Sequence, residues 1–135
     1  MKNIKYIILV LLVLSGCELI TIGSKKPKPI EVSQKTPIGT VLLFKTELDS
    51  NNIPAATRIL AKSDGKQFLA IQKYELYDEV ARLQRLISNK KITAVKSDSL
   101  TESSYKVRVE LDYLKSISFT TSKIKDFWYI TDYNE

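Results

Sequence analysis

The clearest pattern in the chain is a strict alternation over residues 104–113. Tyr105, Val107, Val109, Leu111 and Tyr113 interleave with Lys106, Arg108, Glu110 and Asp112. A period of two places the first set on one face of a strand and the second on the other. One buried face and one wet face predict an antiparallel sheet. Residues 92–97 predict a strand before it, and Ile117, Phe119 and Thr121 a strand after it. Lys125-Asp126 then turns the chain into a last strand over 127–133.

Ahead of the sheet the period is helical. Thr36 suits an N-cap and Pro37 the first helical position. Ile38, Val41, Phe44 and Leu48 follow at helical spacing. Asp49-Ser50-Asn51-Asn52 stops this helix and opens a second, with Pro54 just inside and Ala55, Ala56, Ile59 and Leu60 on its apolar side. Ser63-Asp64-Gly65 breaks it. A third helical stretch covers 67–88, with a stripe of Leu69, Leu76, Val80, Leu83 and Ile87 and a kink near Gln72 and Lys73. Asp78 and Glu79, four and three residues before Arg82, suit a solvated opposite face. Helices first and a strand meander afterwards predict an α+β domain, its helices packed on one face of a curved antiparallel sheet of about four strands.

Residues 18–36 have no sustained periodicity. Gly23, Ser24, Lys25, Lys26, Pro27, Lys28 and Pro29 read as a tether. Lys2 and Lys5 stand before a nearly pure aliphatic run, Ile7 to Leu14, followed by the small residues Ser15 and Gly16. A basic start, a short apolar run and small residues describe a secretory signal peptide. The run is shorter than the roughly 20 residues that span a bilayer. The chain therefore divides into a signal peptide (1–16), a tether (17–35) and a folded domain (36–135). By itself the single cysteine, Cys17, is compatible with an inert apolar position or an intermolecular disulfide.

Leu14-Ser15-Gly16-Cys17 resembles the lipobox of bacterial lipoproteins. The resemblance implies that Cys17 carries a diacylglycerol thioether and becomes the amino terminus after cleavage. A thiolate is the right nucleophile for that transfer. Two or three acyl chains, at about 0.8 kcal/mol per buried CH₂, hold a protein on a bilayer where one does not. The location implied is the bacterial envelope. Glu18 stands where a retention-type Asp would, so the periplasmic face of the outer membrane is expected if the cell has one.

The net charge of +6 changes this picture little. Lys2 and Lys5 belong to the signal peptide. Lys25, Lys26 and Lys28 either solvate the tether or add about 1 kcal/mol each of attraction to anionic headgroups. The other cations alternate with acids instead of forming a stripe, which argues against a nucleic-acid partner.

Little catalytic chemistry is on offer. The chain has no histidine, so the usual base near neutral pH is missing. There is no Gly-rich phosphate loop or His/Cys metal pattern, and no cofactor is expected. Glu110 and Asp112 share a strand face, but the solvent one. Ser122 and Lys123 are neighbours on a strand and so point apart. The aromatics are more suggestive. Tyr105, Tyr113, Phe119 and Trp128 are the candidate lining of a ligand pocket, each Tyr and Trp offering an apolar body with a polar tip. The alternative is ordinary core, with Trp128 packed under the first helix.

The order of elements resembles the nuclear transport factor 2-like (cystatin-like) superfamily, and more narrowly the lumazine-binding-like domains of bacterial lipoproteins. The resemblance rests on Val41, Phe44 and Leu48, the turn Asp49-Ser50-Asn51-Asn52, then Ala55, Ala56, Ile59 and Leu60, and the closing Lys125-Asp126-Phe127-Trp128-Tyr129-Ile130. It implies a cone in which sheet and helices enclose a pocket. Enzymes of that superfamily place Asp, His or Tyr there, and no such residue can be carried over to this chain. The expectation is a non-enzymatic, lipid-anchored envelope protein that binds a partner protein or a small ligand through the cone. The alternatives are an envelope enzyme using a carboxylate or tyrosine in the cone, and a purely structural subunit of an envelope assembly.

Overall fold

A computed structural model describes residues 29–135. The signal peptide, the lipobox with Cys17, and the tether as far as Lys28 lie outside the described residues. The fold is α+β: four helices on one face of a four-stranded antiparallel meander in the order β1-β2-β3-β4.

Helix α1 spans Pro37–Asp49. It begins as the sequence dictates: the Thr36 hydroxyl accepts from the Gly39 amide at 3.0 Å, and Pro37 takes the first position, where a missing N–H costs nothing. Val41, Phe44 and Leu48 bury its inner face. Lys45 is buried too, its ammonium bonded to both Asp49 carboxylate oxygens at 2.7 Å, and Asp49 also accepts from the Asn89 amide at 2.8 Å. Helix α2, Ile53–Arg58, follows an Asn52 cap. It ends well before Ser63. Beyond it the chain runs extended along β4, Ala61 donating to the Ile130 carbonyl at 2.8 Å and Ile130 to that of Ile59 at 3.0 Å.

The expected long third helix is two helices, α3 Ala70–Glu75 and α4 Tyr77–Ile87, and they meet at Leu76 instead of near Gln72. The break lets Leu76 turn inward while α3 buries none of its residues. Leu69, expected in the core stripe, is 65 % exposed as a result. Val80, Leu83 and Ile87 of α4 are buried as expected.

Strands β1 (Ile92–Thr101), β2 (Ser104–Leu111), β3 (Lys115–Ile124) and β4 (Phe127–Asn134) are longer than or equal to their hydrophobic patterns, with one exception. Strand β1 extends past Ser97 to Thr101 on backbone pairing with β2, although every residue from Lys96 on is exposed. The exception is β2, which stops at Leu111 and not at Tyr113. Asp112 and Tyr113 both take positive φ, 51° and 61°, and Leu114 donates to the Leu111 carbonyl at 3.0 Å. Two central residues with positive φ make a type I′ hairpin turn. Alternation therefore runs out two residues early. The core is formed by the α1 and α4 faces against Val107, Val109, Leu111, Ile117, Phe119 and Ile130.

Candidate ligand-binding groove

The helices cover the sheet unevenly. Along the inner face of β2, Val107, Val109 and Leu111 are buried, but Tyr105 at the strand's start is only half-buried, and its neighbours Ser97 and Ser99 on β1 are exposed. Trp128, the only tryptophan of the chain, comes in from the start of β4. Its ring meets Tyr105 edge to face, with centroids 5.4 Å apart and planes at 80°. That geometry sets the positive ring edge against the negative face.

The two rings line a groove of about 510 Å³ together with Pro29, Ile30, Pro37, Ile38 and Ser97. Small-molecule sites fall in the range of roughly 300–1,000 Å³ and are mostly apolar with a few polar groups. Here the polar groups are Glu31, Thr36 and Ser97.

The N-terminal part of this lining belongs to the stretch expected as tether, and it lies against the domain. Trp128 donates its amide to the Gln34 carbonyl at 2.8 Å, and the Gln34 side chain returns a bond to the Trp128 carbonyl at 2.9 Å. Gly39 makes room for the same stretch, since a Cβ there would collide with the carbonyl oxygens of Glu31 and Ser33 and with the Thr36 hydroxyl.

Of the four sequence candidates, Tyr105 and Trp128 are brought together. Phe119 is core, 3 % exposed, with Phe44 at 6.1 Å and Tyr133 at 6.5 Å between ring centroids. Tyr113 is 78 % exposed in the β2–β3 turn, at the far end of β2 from the groove, and lines no pocket with the others. Asp112 sits in that turn as well, accepting from the Lys91 amide at 2.8 Å, so it does not stand beside Glu110 on a strand. Glu110 accepts from the Thr93 hydroxyl at 2.9 Å.

A second cavity, of about 170 Å³, opens between α4 and β4 and is lined by Phe44, Leu60, Phe68, Leu76, Leu83 and Tyr133. At its mouth the Tyr133 hydroxyl donates a short hydrogen bond to Glu79. Burial first, and then the Glu79 carboxylate, push the Tyr133 phenol up to about 12. It therefore keeps its proton near neutral pH and acts there as a hydrogen-bond donor. Neither Asp78 nor Glu79 forms an ion pair with Arg82.

The sequence gives no sign of this pair. Continuing the period from Trp128 and Ile130 turns Tyr133 outward, but an extra residue in β4, between the partners of Thr120 and Thr121, reverses it. A β-bulge of this kind re-aims the side chains beyond it. A tyrosine in a polar strand end is the only trace available beforehand. Among the described residues no cluster of three or more acids or cysteines could hold a metal ion, and no helix is long and apolar enough to cross a membrane.

Compared with known protein families and with curated proteins, the chain matches no family model and no curated protein.

Proposed function

We propose that the protein is a non-enzymatic binding protein of the bacterial envelope, lipid-anchored at Cys17, whose nuclear transport factor 2-like domain holds an apolar, ring-bearing small molecule in the Tyr105–Trp128 groove. The observation that carries this reading is the edge-to-face pair in an open, largely apolar groove. The lipobox pattern supports the anchor, and the order of helices and strands supports the family likeness. The groove has the apolar bulk that gives affinity and only a few polar atoms to fix orientation. Among the described residues that line it, Glu31 is the one carboxylate.

Trp128 makes the test direct, because all tryptophan emission comes from the groove. Anilinonaphthalene sulfonate, a dye with apolar rings and one sulfonate, should show saturable energy transfer from Trp128. Tyr105→Ala should weaken that binding about tenfold by removing one of the two rings. Unsaturable transfer, or equal affinity in the variant, overturns the reading.

A second reading has one observation of its own. Glu79 and Tyr133 put a carboxylate and a protonated phenol at the mouth of the smaller cavity, the pairing an envelope enzyme would use for proton transfer. Glu79→Gln should leave dye binding in the groove unchanged, since the two cavities share no lining residue.

A further inference from the structure

The two edges of the sheet are treated differently. The edge of β4 is covered twice: Gln34 bonds to Trp128, and the stretch after α2 bonds to Ile130. The edge of β1 is covered by nothing among the described residues. It is ten residues long, contains no proline, and is exposed from Lys96 onward. An edge of that kind presents a row of unpaired N–H and C=O groups, and proteins commonly blunt it with lysine, proline or bulges. The bulges of β1 lie near its ends, between Ile92 and Ala94 and between Ser99 and Thr101, which leaves Ala94 to Ser99 regular.

The charges on this run are ordered. Lys96 stands opposite Arg108 on the outer face, and neither is in an ion pair among the described residues. Like charges directly opposite on a sheet are unfavourable. Asp98, two residues on, shares the outer face with Lys96; Lys106 stands opposite it on β2, without an ion pair between them. We propose that β1 pairs antiparallel with β1 of a second copy about a two-fold axis at Ser97, making a continuous sheet across the dimer.

In that register Lys96 of each copy faces Asp98 of the other, twice by symmetry. Moving the axis to residue 96 sets Lys96 against Lys96, and moving it to residue 98 sets Asp98 against Asp98. The charges therefore admit one register and reject its neighbours of the same facing, which is how a paired strand obtains specificity. The pairing is isologous, as a two-fold requires. The inference does not depend on what the groove binds.

The test uses the full chain in mild detergent with Cys17→Ser, so that any introduced cysteine is the only thiol. Two Ser97 residues across the axis have Cα atoms roughly 4.5–5.5 Å apart, within disulfide range. Ser97→Cys should form an oxidised dimer about tenfold faster than Ser118→Cys, which lies mid-sheet on the outer face, for want of that proximity. Independently, Lys96→Asp should weaken dimerisation in sedimentation equilibrium about tenfold by placing acids opposite acids. Adding Asp98→Lys should restore it. A chain that stays monomeric throughout, crosslinking no faster at 97 than at 118, or a double variant no tighter than Lys96→Asp alone overturns the proposal.

Discussion

Tyr133 shows how one inserted residue can give a side chain a new environment. The bulge in β4 sends it inward to Glu79 and Phe119, and its phenol titrates near 12 instead of the ordinary 10.0. The sign of the consequence follows from linkage. The folded state keeps this proton to higher pH than the unfolded chain, so the stability it contributes is complete below pH 10 and is lost as pH rises towards 12. Tyr133→Phe should therefore be less stable than the parent at pH 8, and the gap should narrow between pH 10 and 12. Urea unfolding at stepped pH measures this, and a gap constant over that range contradicts the assignment.

At the scale of elements, the β2–β3 turn is the informative case. A type I′ turn needs positive φ at both central residues and favours Asn or Asp followed by Gly. Here the second position is Tyr113, a bulky residue in the left-handed region, and the turn persists because neighbours tie it down. Lys91 donates to Asp112, and the Tyr113 amide donates to the Thr93 hydroxyl at 3.3 Å. Tyr113→Gly should raise stability by about 1 kcal/mol in thermal or urea unfolding by removing the strain. It should leave dye binding in the groove unchanged. A loss of binding would restore Tyr113 to the site.

The same turn marks where the sequence could be read and where it could not. Strands β2 and β4 and helix α1 were legible because alternation, helical spacing and a Thr-Pro start are local signals. The end of β2 was not, since Asp-Tyr carries no turn signature and the alternation continues through it. The split at Leu76 was not, because α3 and the residue that precedes it add exposed apolar residues, Leu69, Ile71 and Tyr74, to a pattern that still counts as helical. Of the aromatic set, the structure brings Tyr105 and Trp128 into contact and sets Phe119 and Tyr113 apart from them. Sequence periodicity puts Tyr105 and Phe119 on the inner face alike, and only the extent of helix cover separates a groove lining from a core.

For the whole molecule, the question is what the domain is attached to. The proposed lipid attachment at Cys17 predicts that Cys17→Ser abolishes fatty-acid labelling and releases the protein from the membrane fraction. Labelling and retention unchanged in that variant would remove the anchor and leave the domain's binding reading standing alone. Pairing through β1 would gain from such an anchor, since two chains held on one surface meet at a higher effective concentration than in solution.

The chain enters the domain through the stretch that crosses Gly39 and hydrogen-bonds to Trp128. Tension applied to the polypeptide from the Pro29 side is borne first by the Gln34–Trp128 bonds, before any of it reaches the α1–sheet core. A pull there removes the Pro29–Ile30 wall of the groove while the helices stay packed, so the groove wall is the first part of the fold to yield to mechanical load.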